Sequence, residues 1–134
     1  MSFYTFFETF KERARKHDLG FLKEVIAEEF IAREIRDGEH MDYGREESVE
    51  GWRQAFEHFE GQDMNWIYTN HSVTQTKADE WMAVFWVSVV IAGEPLPASN
   101  LFFDTFRYED ETWKLVRSYI EAGVKSPVLE KASR

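Results

Sequence analysis

The chain has 134 residues, the length of one domain; 43% are hydrophobic and 31% charged, which excludes both a disordered chain and two separately cored domains. With no cysteine, disulfides, thiolate catalysis and Cys-based metal sites are excluded. Against 25 Asp and Glu stand only 16 Lys and Arg, and the net charge of -9 repels phosphate backbones and anionic membranes.

Phe3, Phe6, Phe7, Phe10 and Ala14 recur at three- and four-residue spacing and predict a first helix, with Lys11 among the charged residues of its other face. Asp18 is the expected N-cap of a short second helix that buries Leu19, Leu22, Val25 and Ile26. Phe30 to Arg36 alternates as a strand. Asp37-Gly38 reads as a turn, and His40 to Tyr43 as the returning strand of a hairpin. Ser48 is the expected cap of a third helix with Val49, Trp52, Ala55, Phe56 and Phe59 inward, ended by Gly61. Four strands then follow, over Asn65 to Thr76, Trp81 to Ala92, Ser99 to Tyr108 and Trp113 to Ile120. The tail from Gly123 reads as a loosely held extension.

This order predicts an α+β fold in which a curved antiparallel sheet wraps around the N-terminal helices and leaves a cone-shaped pocket. One domain is expected over 1–123, with an extension over 124–134. The first residues lack the basic and apolar regions of a signal peptide, and no apolar run is long enough to span a bilayer. A cytoplasmic protein without membrane or nucleic-acid partners is the expectation.

Three passages carry a family resemblance. They are His17-Asp18-Leu19-Gly20-Phe21-Leu22 with Ala27-Glu28-Glu29-Phe30, then Gly44-Arg45-Glu46-Glu47, then Phe106-Arg107-Tyr108 through Trp113-Lys114-Leu115-Val116. In order and spacing they resemble the nuclear transport factor 2-like superfamily, the SnoaL-like and ketosteroid-isomerase-like cystatin-type α+β barrels. That superfamily hosts isomerases, cyclases, dehydratases, adaptors and oligomerisation modules, so the resemblance implies a fold before it implies an activity.

Within it, Phe103-Asp104-Thr105-Phe106-Arg107-Tyr108 is similar to the ketosteroid isomerase strand whose Asp stays protonated and donates to an enolate oxygen. The resemblance makes Asp104 the acid or oxyanion donor. Alternation puts Phe102 and Phe106 on its side. A matched offset from Ala27 makes Glu34 a candidate base. An ion pair within Arg33-Glu34-Ile35-Arg36 is the competing reading of Glu34, and pairing with Arg107 or Arg117 that of Asp104. His71 is a third acid–base candidate, against an ordinary exposed strand histidine. Where the isomerases carry a tyrosine donor on the first helix, this chain has Phe10; Tyr43, Tyr68 and Tyr119 are the possible substitutes.

The 12 Phe, 5 Trp and 5 Tyr exceed what packing a small domain demands. They predict an apolar pocket lined by Phe10, Tyr43, Trp52, Phe56, Phe102 and Phe106, which takes a small hydrophobic or aromatic molecule. Trp66, Trp81, Trp86 and Trp113 lie on strands, and those facing outward predict a homodimer across the sheet. No cofactor and no metal site are expected. If there is activity, it is cofactor-independent proton transfer; the alternative is a non-catalytic dimeric binding or interaction module.

Overall fold

A computed structural model describes residues 1–128. Helix α1, Phe3–Arg15, starts where the Ser2 hydroxyl accepts the Thr5 N–H at 3.2 Å. It buries the five expected apolar residues and also Lys11, whose Nζ pairs with Glu8 at 2.8 Å and lies 4.7 Å from the Phe7 ring centre. Asp18 caps α2, Leu19–Val25, through a 3.0 Å bond from the Phe21 N–H.

The chain passes directly from α2 into β1, Ile26–Arg36, four residues earlier than its alternation suggests. Strand β2, Glu39–Gly44, returns antiparallel. Helix α3 spans Arg45–His58, so Ser48 is inside the helix and is not its cap. Glu47 reaches back to the Gly44 N–H at 3.4 Å, and Glu46 and Glu47 put negative charge at the helix's positive end. The Arg45 side chain donates to the carbonyls of Lys23 and Ile26 at 2.6 and 3.0 Å, tying the start of α3 to the end of α2.

Five strands complete the chain: β3 (Met64–Lys77), β4 (Glu80–Ile91), β5 (Glu94–Pro95), β6 (Ala98–Glu109) and β7 (Thr112–Lys125). The main sheet order is β2-β1-β7-β6-β4-β3, with β5 attached to β4. All pairings are antiparallel except β1 with β7, so the sheet is mixed. It is curved and unclosed, and the helices fill its inner side.

The tail is held further along than expected. Strand β7 continues past Gly123 to Lys125, and Ser126 is fully buried, 3.2 Å from the Ser88 hydroxyl. The Ser126 N–H donates to the Pro97 carbonyl. The remainder of the expected extension, 129–134, lies outside the described residues.

The strand tryptophans divide unequally between the two faces of the sheet. Trp66 donates to His17, Trp81 stacks on Phe3 with ring centres 5.4 Å apart, and Trp113 meets Phe3 at 5.2 Å. These three face inward. Trp86 alone lies on the outer face, beside His71.

Candidate functional site

Register explains which side chains meet. Reading across the sheet on its inner face, Tyr43 on β2 stands opposite Ala32 on β1, then Ser118 on β7, Asp104 on β6, Ala83 on β4 and Val73 on β3. The neighbouring inner row runs Met41, Glu34, Ile120, Phe102, Phe85 and Asn70. Two turns of α3 lie over these rows and carry Trp52. Between helix and sheet is a cavity of about 690 Å³ whose lining includes Asp104, Ser118, Glu34, Tyr43, Trp52 and Phe102.

Asp104 is 3% exposed and its Oδ1 accepts the Ser118 hydroxyl at 2.6 Å. Burial pushes its carboxyl up to about 7, against a smaller downward pull from the Ser118 hydrogen bond. Near neutrality the group therefore divides between a hydrogen-bond donor and a buried anion. Among the described residues its Oδ2 has no partner, and the one sealed and unpartnered side-chain atom is Ser99 Oγ, so Oδ2 opens on the cavity.

Glu34 faces the same cavity. Its Oε2 accepts from Arg36 Nε at 3.2 Å, and its Oε1 is 3.5 Å from the Tyr43 hydroxyl. The ion pair and the inward position thus coexist. Burial, then the charges of Glu34 and Asp104, hold the Tyr43 phenol protonated well above its usual range. Burial likewise raises Tyr68, whose ring lies under Arg15 and beside Phe85. Tyr119 sits on the other face, where it donates to Glu121 at 2.7 Å.

Four expected site residues are elsewhere. Phe10 and Phe106 are sealed in the core with ring centres 5.3 Å apart. Phe56 stacks flat on the His17 imidazole at 4.4 Å, behind the cavity wall. His71 is the extra residue of a β-bulge between Asn70 and Ser72. The bulge leaves it exposed on the outer face, 3.2 Å from the Ser72 hydroxyl, so it does not meet Asp104 or Glu34. Asp104 pairs with neither arginine. Arg107 and Arg117 instead bind the buried Glu80 at 3.0 and 3.1 Å. Burial would raise the Glu80 carboxyl, but hydrogen bonds from those two arginines outweigh it and lower it.

Sequence reasoning missed Ser118, which alternation from Trp113 and Leu115 directs outward. It also missed Trp66, which lines the cavity; its indole N–H donates to His17 Nε2 at 2.8 Å. That bond needs a neutral imidazole, and burial lowers the His17 pKa. A second concavity, of about 780 Å³, lies over α2 and the turn after β6 and holds none of these groups. Among the described residues no three His, Asp or Glu side chains converge as metal ligands, and no helix is long and apolar enough to cross a membrane.

Helices packed in a curved, open, mixed sheet above a polar-floored cavity define a cystatin-like α+β cone. The chain has the nuclear transport factor 2-like version of that fold. An NTF2-like protein of unknown function in nutrient uptake from Rhodospirillum rubrum matches at a TM-score of 0.67 and 16% identity, covering 91% of this chain and 98% of that one. An NTF2-like protein of unknown function from Pseudomonas putida matches at 0.68 and 11%, covering 93% and 87%. A cystatin-like protein of unknown function from Nostoc punctiforme matches at 0.62 and 19%, covering 89% and 86%. No protein-family model and no curated protein matches the chain.

Proposed function

We propose that the cavity binds a small apolar ring compound through one acceptor oxygen, and that Asp104 and Tyr43 donate to it. The observation that carries this is a buried carboxyl whose unpartnered oxygen opens on an aromatic-walled cavity. A donor facing that oxygen stabilises negative charge that develops there; the Tyr43 hydroxyl, which donates to Glu34 Oε1 at 3.5 Å, adds a second when it turns its proton from Glu34 to the ligand. Glu34, in the next inner row, is the group that would take a proton from a carbon next to that carbonyl. The chemistry is then cofactor-independent proton transfer, as in isomerisation, cyclisation or dehydration. Phe10 cannot donate from α1, and Tyr43 on β2 takes the role that the ketosteroid isomerases give to a helix tyrosine.

A ketone without a proton to donate tests the reading, because it binds only to donors. 2-Acetylnaphthalene is expected to quench Trp52 and Trp66 and to bind saturably at pH 6. Its affinity should fall roughly three- to tenfold by pH 8.5, the worth of one hydrogen bond, as Asp104 ionises. In Asp104→Asn the affinity should not change with pH. Absence of saturable binding, or the same pH profile in both proteins, rejects the reading.

A homodimer through the outer sheet face belongs to the same reading. Leu101, Phe103 and Trp86 stand half-buried there, and Tyr119, 39% exposed, meets Phe103 edge-on with ring centres 5.7 Å apart. A second copy of the chain covers this patch. Sedimentation at micromolar concentration should return twice the monomer mass, and Phe103→Glu should restore the monomer. A wild-type protein that sediments as a monomer removes the dimer.

A further inference from the structure

We propose that Ser118 is the positioning residue of this site: its hydroxyl holds Oδ1 of Asp104 and leaves the carboxyl proton on Oδ2, facing the ligand. The inference rests on the reading of Asp104 as a donor.

The argument begins with an irregularity in β7. Thr105 pairs with Arg117 but Phe106 pairs with Leu115, so Val116 is an extra residue. Without it, continuing the Phe106–Leu115 register would set Arg117 opposite Asp104. A guanidinium there would hold the carboxyl ionised and end its use as a donor. The bulge shifts the pairing by one. Arg117 turns outward to Glu80, 3.1 Å away, and Ser118 turns inward to Asp104. Leu115 and Ser118, three residues apart, therefore share one face of the sheet.

The bond is short, 2.6 Å, and both residues are buried, Ser118 at 8% and Asp104 at 3% exposure. A serine has one proton to donate, and among the described residues Ser118 Oγ has no other hydrogen-bond partner. Its donation makes Oδ1 the carbonyl oxygen of the protonated acid. The acid proton then belongs on Oδ2, the oxygen that opens on the cavity. The same bond favours the ionised form once the proton has gone, and so pulls Asp104 down against the larger effect of burial. The other charged or titratable groups that line the cavity are Glu34 and Arg36 on β1, Asp42 and Tyr43 on β2 and Glu47 on α3; Tyr68 on β3 lies outside that lining but feels the Asp104 charge, and both phenols are raised by burial and stay protonated.

Titration of 2-acetylnaphthalene against pH in Ser118→Ala and Ser118→Thr tests the proposal. In Ser118→Ala the midpoint of the affinity profile should move to higher pH, and the limiting affinity at pH 5.5 should fall at least threefold. Ser118→Thr keeps the hydroxyl and should restore both. Ser118→Cys is isosteric and only a weak donor; it should follow the alanine variant without leaving a vacancy. Carbon-13 NMR of the Asp104 carboxyl in the unliganded proteins should show the same upward shift of the midpoint. An unmoved midpoint in the alanine and cysteine variants overturns the proposal, as does a loss of affinity equal at every pH. If Asp104→Asn still abolishes the pH dependence, the donor reading survives that failure. If the wild-type protein does not bind the ketone, both fall.

Discussion

Asp104→Asn is expected to melt well above the wild-type protein at pH 8 and at nearly the same temperature at pH 4. The sign follows from linkage. Below 3.8 the carboxyl is protonated in both folded and unfolded chains, and it costs nothing. Between 3.8 and about 7 the unfolded chain ionises while the folded chain holds its proton, so stability falls as pH rises. Above about 7 the folded chain carries a buried anion with only Ser118 to solvate it, and the penalty stays constant. At about 1.4 kcal/mol per pKa unit, the penalty reaches about 4 kcal/mol, on the order of 10 °C in melting temperature. Asparagine is neutral throughout and still presents an oxygen to Ser118. Calorimetry of both proteins from pH 4 to 8 measures the difference. A pH-independent gap, or a less stable variant at pH 8, contradicts the assignment. A carboxyl kept at this cost is a stability sacrifice of the kind found at functional sites.

Phe106→Ala carries the second large effect, in the opposite direction. Phe106 is fully buried, and its ring meets Phe3 and Phe10 at 5.3 Å, Phe6 at 5.6 Å and Phe7 at 6.1 Å. Four rings of α1 thus pack against it. Removing it costs about 3–5 kcal/mol, from lost transfer energy and the hole left among rigid rings. Domains of this size have roughly 5–15 kcal/mol in total, so the urea midpoint should drop by about a fifth or more. Phe102→Ala makes the contrast. Phe102 stacks on Phe85 at 5.4 Å but has the cavity on its other side. Its loss should cost less stability and act mainly on ligand affinity. Equal costs at both positions would mean that Phe106 is not a core ring.

The fold was legible because three independent patterns agreed. The phenylalanine spacing in α1 named its buried face, β-branched and aromatic runs between turn signals marked the strands of the second half, and Asp18 marked the start of α2. The inner position of Asp104 also followed from alternation, because Phe102, Asp104 and Phe106 lie on a stretch of β6 whose pairing with β4 is regular. The rest was hidden wherever pairing slips. The bulge at His71 turned a candidate base outward, and the bulge at Val116 turned Ser118 inward; a period-two count cannot register either. The early start of α3 was missed because its stabilising contact comes from Glu47, inside the helix, and not from a hydroxyl before it. Burial of Phe10 and Phe56 was readable, but whether they face a ring or a void depends on α3 and β3 together. His17 is the case in point: it packs against Phe56 on α3 and bonds Trp66 on β3.

The parallel join of β1 to β7 has a kinetic consequence. Tyr43 and Ala32 reach Asp104 only across β7, so the polar row of the cavity spans contacts between opposite ends of the chain. The β3–β4 and β6–β7 hairpins close over short loops, whereas Ala32 and Ser118 must enclose more than half of the sequence before they pair. Such long-range closures slow folding and come late in it. The hairpins can collapse around the phenylalanines of α1 without any site being present. The cavity floor that carries Asp104 and Tyr43 is therefore joined across the longest-range seam of the sheet.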